Sequence, residues 1–313
     1  GYRPTAISGG KMVTTDLNHL APDLQTVAAG DDSQRIAFIR GQWWIGYPQA
    51  QAALDLLRTA MENEPGRVRP QCFLLLGPTN NGKSMIVEKF RRDHTPAALP
   101  GRDEENIPVV VVQMLTDPGV ARFYQHLLEV LGAPVRRTAR KHDLEAQALS
   151  TLKRVGTKVL IIDELHNILA GSSPAQREFL NLLRFLGNEL RIPVVGAGTR
   201  DAYLAIRTDP QLENRFHPII LPVWEEGDEL GRLIQSFVAT FPLRKPSFLN
   251  SADLQRWVLA RTGRTIGEIA ALLRSAAVAA VESGEEAINQ RSLHLMKYHG
   301  PAERRRLTEK LLT

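Results

Sequence analysis

Eight residues constrain this chain more than any others: Gly77-Pro78-Thr79-Asn80-Asn81-Gly82-Lys83-Ser84, a complete G-x-x-x-x-G-K-[ST]. An apolar run of strand length, 71–76, precedes them, and a helical pattern over 85–92 follows. In that context glycine lets the loop wrap so that backbone N–H groups face one centre, where phosphate oxygens fit. The helix N-terminus adds a partial positive charge at the same place. The spacing therefore predicts a strand–loop–helix unit that holds a nucleoside triphosphate such as ATP. Lys83 is placed to reach the β- and γ-phosphates, and the Ser84 hydroxyl to ligate Mg2+.

The remaining pattern extends that unit into a sheet. Apolar runs at 107–113, 159–163 and 192–197, and a short one at 218–221, read as further buried strands. Helical spacing covers 49–62, 118–131 and 143–155, with Pro118 suited to a first turn. Ser173-Pro174 reads as the N-cap and first residue of a long amphipathic helix. Strands alternating with helices imply a mainly parallel, three-layer α/β sheet. After Trp224 the strand signal stops, and 225–300 reads as several helices, one of them Ala-rich across 265–282. A boundary near residue 223 follows. A length of 313 residues, at roughly 150 per domain, agrees with about two domains. Residues 1–12 lack apolar periodicity and read as a non-native remnant, while 13–40 carry a weak helical pattern.

The partner to the phosphate loop is Val159-Leu160-Ile161-Ile162-Asp163-Glu164. Four apolar residues carry a strand whose end delivers two adjacent carboxylates. Asp163 fits a Mg2+-holding role, and Glu164 is placed to polarise an attacking water as general base. That pair argues against a small-molecule kinase, which needs no water-activating Glu there. The fourth run ends in Gly196-Ala197-Gly198-Thr199; the Thr199 hydroxyl can orient the water or sense the γ-phosphate, or simply cap a helix. Arg215, in Glu213-Asn214-Arg215-Phe216, suits an arginine finger acting on a neighbouring subunit's nucleotide. Arg200 and Arg207 compete for that role, and spacing does not choose among them.

Composition sets the outer limits. A hydrophobic fraction of 43% with 23% charged residues excludes whole-chain disorder. No apolar run approaches the ~18 residues of a membrane span. One cysteine, Cys72, excludes a disulfide framework and a Cys-based metal site, and fits a reducing cytosol. No secretory h-region follows the first residues.

Together these blocks resemble an AAA+ ATPase. Trp44-Ile45-Gly46-Tyr47-Pro48, the stretch from Gly77 to Phe90, Ile161-Ile162-Asp163-Glu164-Leu165-His166-Asn167, Gly196 to Thr199 and Glu213 to Phe216 more narrowly resemble TniB, of the TnsC-like transposition regulators, over about residues 14–300. The resemblance implies an AAA+ α/β subdomain at 49–223, a helical lid at 224–300 and a C-terminal tail at 301–313. Residues 13–48 become an N-terminal extension ending in a linker, with Trp44, Ile45, Tyr47 and Pro48 beside the adenine. A hydrophobic staple under the next helix is the plainer reading of that linker. Pro78, Thr79, Asn80, Asn81 and Met85 join the loop's nucleotide contacts. Thr199 matches sensor 1 and Arg215 the arginine finger. The usual sensor-2 Arg is missing from the start of the lid helix, leaving Arg264 and implying slow or partner-stimulated hydrolysis.

The same resemblance implies ATP-dependent assembly on double-stranded DNA as a ring or helical filament, in the bacterial cytoplasm. Such an assembly links a TniQ-type target selector to a DDE transposase of the TniA type. Charge placement bears on where DNA would lie. The net charge is only +5, but Arg136, Arg137, Arg140 and Lys141 put four cations in six positions. Thr116, Arg136, Arg137 and Thr138 match the DNA-facing loops of the family, and a solvated basic loop is the alternative. Lys89, Arg91 and Arg92 form a second basic group, and Arg304, Arg305 and Arg306 a third. A helicase loader of the IstB/DnaC kind and a P-loop signalling switch without DNA are the competing functions.

Overall fold

Cys72-Phe73-Leu74-Leu75-Leu76 is buried along its whole length, as befits an interior strand of a sheet covered on both faces. The computed structural model describes residues 16–98, 105–136, 138–249 and 251–312. In chain order, α1 (Pro22–Ala28), α2 (Asp32–Arg40) and α3 (Pro48–Asn63) lead to β1 (Cys72–Leu76) and α4 (Lys83–Asp93). Then come β2 (Val109–Gln113), α5 (Val120–Val130), α6 (Lys141–Arg154) and β3 (Val159–Asp163). A 3-10 turn (Leu165–Ala170) joins β3 to α7 (Ser173–Leu190), followed by β4 (Val194–Gly198), α8 (Arg200–Arg207), α9 (Pro210–Glu213) and β5 (Phe216–Ile220). The helices α10 (Asp228–Val238), α11 (Ala252–Thr262), α12 (Ile266–Glu282), α13 (Gln290–Leu295) and α14 (Pro301–Leu312) complete the chain.

The described residues form two compact units. The first comprises Trp44–Trp224 with Thr265–Gly267. Its main sheet has five parallel strands, in the order β2-β3-β4-β1-β5, and a short antiparallel pair, Ala97–Ala98 with Glu105–Asn106, forms a separate sheet. Side chains alternate between faces along each strand. Leu74, Leu76, Val110, Val112, Leu160 and Ile162 thus share one core with α5, α6 and α7. Phe123 and Phe179 meet edge to face there at 5.2 Å, worth about 0.5–1.5 kcal/mol beyond burial. The alternate residues Phe73, Leu75, Val159 and Ile161 are equally buried on the opposite face. Pro218 sits inside β5 because β5 is an edge strand, where the missing N–H costs no ladder bond.

Two local readings shift. The long helix is preceded by Ser172, not Ser173, and Pro174 falls within its first turn. Pro118 lies outside α5: the Gly119 N–H donates to Asp117 Oδ1 at 3.2 Å, and this Asx turn delays the helix to Val120.

The second unit gathers residues up to Trp43 with Glu225–Arg264 and Glu268–Thr313. A fully buried arginine joins its sequence-distant parts. Arg35 donates to Pro242 O at 3.1 Å and to both carboxylate oxygens of Glu286. Arg244 reaches the Ala28 and Gly30 carbonyls at 3.0 and 2.9 Å. The N-terminal helices are therefore tied to the C-terminal ones. The remnant proposed at 1–12 lies outside the described residues.

Candidate nucleotide site

The phosphate loop connects the C-terminal end of β1 to α4. Its conformation depends on two glycines. Gly82 has φ +86°, and a Cβ there would lie 2.8 Å from the Tyr47 hydroxyl. A Cβ on Gly77 would press on Leu221 O at 3.0 Å. Pro78, Thr79 and Asn80 are exposed along the loop, as are Ser84 and Met85 in the first turn of α4. No side chain caps that helix, so its first N–H groups face outward as an anion cradle. Lys83 is buried and donates to Gly77 O at 2.9 Å and Pro78 O at 2.7 Å. Burial lowers its pKa, while the charges of Glu164 and Asp163 nearby oppose that shift.

Asn81 turns inward rather than toward a ligand. Its amide donates to Leu221 O at 2.9 Å and Pro222 O at 3.0 Å, and its oxygen accepts from Ile266 N at 3.3 Å. Asn80 O accepts from Gly267 N at 3.0 Å. The loop is thus braced by the exit of β5 and by the 265–267 segment of the same unit. Tyr47, which Pro48 follows into α3, lies edge-on to Trp224 at 5.5 Å. Burial pushes its hydroxyl up to about 12. Trp44 and Ile45 are half-buried just before it.

The strand order sets the second half of the site. β4 lies between β1 and β3, so the ends of these three strands are neighbours. Asp163 and Glu164 stand at the tip of β3, with the Glu164 N–H donating to Asp163 Oδ1 at 2.8 Å. Glu164 adopts a left-handed conformation, φ +57°. Thr199 follows β4 at the N-cap of α8, yet its side chain makes no capping bond. The structure therefore brings Lys83, Asp163, Glu164 and Thr199 to one edge of the sheet.

Arg215 lies at the opposite edge. It immediately precedes β5, and its Nε donates to Pro70 O, ahead of β1, at 3.3 Å. Five strand residues, about 16 Å, separate that edge from the phosphate loop. Its Nη1 donates to Asn188 Oδ1 at 2.8 Å, while Nη2 is buried with no hydrogen-bond partner among the described residues. The surrounding cavity, about 620 Å³, is lined by Arg67, Arg69, Arg184 and His217 as well. Arg207 instead pairs with Glu213 at 3.5 Å, and Arg200 opens α8 beside Thr199. Arg264, in the second unit, has φ +66° and donates to Glu225 at 3.0 Å.

Thr116, Arg136 and Thr138 are exposed, and Arg137 lies outside the described residues. Lys141 is engaged by Glu178. The second basic group is neutralised on its own helix, where Glu88 takes Arg91 and Arg92 and Asp93 takes Lys89. The Arg91 hydrogen bond pulls the Glu88 carboxyl down to about 2. In the third group Arg304 pairs with Glu268 at 2.6 Å. Cys72 is buried in β1, and burial pushes its thiol up. Sequence reasoning missed the inward role of Asn81 and the neighbours of Glu164 and Arg215, namely His166 and Asn188. Asn81 and His166 fall inside the motif blocks, but nothing in their spacing marks the partners they find in the fold.

Comparison with known proteins places this geometry. The family model described as bacterial TniB protein matches residues 35–226. The chaperone ClpB of Meiothermus ruber is 26% identical over 238 residues, covering 71% of this chain and 26% of its own length. The chain thus spans about a quarter of that chaperone. Aeropyrum pernix ORC1, solved in complex with DNA, superposes with TM-score 0.54 at 17% identity, over 79% of this chain and 63% of its own. Cdc6p of Pyrobaculum aerophilum gives TM-score 0.54 at 16% identity, over 86% and 72%. The fold is that of the AAA+ P-loop ATPases. No helix among the described residues is long and apolar enough to cross a membrane.

Proposed function

Because the chain belongs to the TniB family, we propose that this AAA+ ATPase regulates DNA transposition. In this reading it assembles on double-stranded DNA with ATP bound, links a TniQ-type target selector to a TniA-type DDE transposase, and leaves DNA when ATP is hydrolysed. The observation that carries the chemistry is the convergence of Lys83, Asp163, Glu164 and Thr199 on adjacent strand ends.

The residues fit a Mg2+-bound nucleotide. The uncapped first turn of α4 and the Gly82 cradle take phosphate oxygens, and Lys83 exchanges its two loop carbonyls for them. Ser84 and Asp163 would hold Mg2+, few enough protein ligands for an ion that keeps waters and phosphate oxygens. When bound, the ion neutralises charge on the β- and γ-phosphates. Glu164 takes the proton of the attacking water, and Thr199 orients that water. Trp44 and Ile45, half-buried ahead of α3, are available to the base.

Arg215 works on a neighbouring copy. Its distance from its own phosphate loop supports that reading, while Arg207 is paired with Glu213 and Arg200 stands beside Thr199. A homo-oligomer follows from it. Arg136, Arg137, Thr116 and Thr138 supply phosphate contacts to DNA, which makes binding sequence-independent and salt-sensitive. ORC1, with the same fold, was solved with DNA, which is a fold-level precedent only.

The test is a filter-binding titration of labelled duplex with ATP, a non-hydrolysable analogue, ADP or no nucleotide, at two salt concentrations. Retention in the triphosphate states, weakened in Arg136→Glu with nucleotide affinity kept, supports the reading. Retention independent of both nucleotide and Arg136 sinks it.

A further inference from the structure

The Glu164 carboxylate has a built-in neighbour. His166, on the 3-10 turn after β3, brings Nε2 to 3.1 Å from Glu164 Oε2. The ring is wedged against β4: a Cβ on Gly198 would lie 3.4 Å from His166 Nδ1 and 3.3 Å from the His166 backbone N. Nδ1 is buried and meets no hydrogen-bond partner among the described residues. The Glu164 charge also acts on the buried Lys83 ammonium.

These contacts select a tautomer. A carboxylate only accepts, so Nε2 must carry the proton. Nδ1, buried and without a partner among the described residues, is then the bare acceptor. A ring wedged in this way offers its Nε2–H to one carboxylate oxygen of Glu164. The left-handed backbone of Glu164, unfavourable for a residue with a Cβ, needs such outside support.

We propose that His166 is a positioning residue for water activation: its Nε2–H holds one oxygen of Glu164 and leaves the other to accept the proton. This rests on Glu164 acting as the base. Single-turnover phosphate release and nucleotide affinity separate the possibilities, measured on the full chain with duplex DNA present. His166→Ala should lower the hydrolysis rate roughly 10- to 100-fold, the cost of a misplaced catalytic group, with affinity within about twofold. His166→Gln, which keeps an N–H near the Nε2 position, should recover most of the rate. In a Glu164→Gln background, His166→Ala should cost nothing further, because the two act as a unit.

An unchanged rate in His166→Ala, a parallel loss of affinity, or a full additional cost in the Glu164→Gln background overturns the proposal. Wild-type turnover in Glu164→Gln would instead remove the base reading itself. Nitrogen NMR of labelled histidine, assigned by difference to His166→Gln, gives a readout free of turnover. A protonated Nε2 with bare Nδ1 is expected, and the reverse tautomer contradicts the proposal.

Discussion

Asn81→Ala tests whether the phosphate loop is held by a side chain as well as by its own backbone. The Asn81 side chain is 2% exposed and makes three bonds, to Leu221 O, Pro222 O and Ile266 N, at 2.9, 3.0 and 3.3 Å. Each such bond is worth about 0.5–1.5 kcal/mol net, and the longest contributes least, so truncation should cost about 2–3 kcal/mol. For a domain of this size each kcal/mol moves the midpoint by about 2–4 °C, so melting should fall by roughly 4–12 °C. If about half the loss is felt by the loop alone, nucleotide affinity falls roughly tenfold, since 1.4 kcal/mol is a factor of ten. Thermal melting and titration of a fluorescent ATP analogue read the two effects separately. Asn81→Asp keeps the acceptor for Ile266 but loses both donors and sets a carboxylate beside two carbonyls and the incoming phosphates. Its affinity should fall below that of the alanine variant. An Asn81→Ala protein that melts and binds as wild type refutes the brace, and the reverse order of the two variants refutes its electrostatic part.

Other perturbations have defined outcomes. Arg215→Ala alone and Glu164→Gln alone should each lack turnover. Mixing the two should restore part of it, because an intact Arg215 from one copy can serve an intact Glu164 in another; no recovery in the mixture counts against action in trans. Arg35→Met breaks a buried ion pair and should destabilise the second unit by about 3–5 kcal/mol, read by denaturant melting. Burial alone would raise the Glu286 carboxyl, but the Arg35 and Arg244 contacts together outweigh it and hold the group below the usual range. Its stabilising contribution is therefore present above the ordinary Glu pKa of about 4.3 and is lost as pH falls through the lower folded value. Glu286→Gln should flatten that acid limb of a stability–pH curve, and an unchanged limb would assign acid sensitivity elsewhere.

What could be read from the residues was local. The run 159–163 coincides with β3 because a short run of four apolar residues suits a strand buried on both faces. The loop Gly77 to Ser84 was legible because its chemistry fixes both spacing and flanks. Asn81 read as a ligand contact because the motif leaves that position open; only the fold brings Leu221 and Ile266 to it, 140 and 185 residues away. Arg215 could be named from its sequence but not located: only the parallel register puts it at the far edge of the sheet from the phosphate loop. The joining of Arg35 to Glu286 left no trace in periodicity, since a pair 251 residues apart shares no repeat. The basic stretch around Lys89 looked free because a count of cations ignores acids one helical turn away, at Glu88 and Asp93.

The central claim is that ATP hydrolysis by Glu164 ends residence on DNA. Phosphate release and duplex dissociation should be followed together in wild type and Glu164→Gln, starting from the same ATP-loaded complex. The account predicts that Glu164→Gln binds ATP and duplex normally, releases phosphate roughly 10²- to 10⁴-fold more slowly as expected for a lost general base, and stays on DNA correspondingly longer. Dissociation at the wild-type rate while phosphate release has stopped would contradict it.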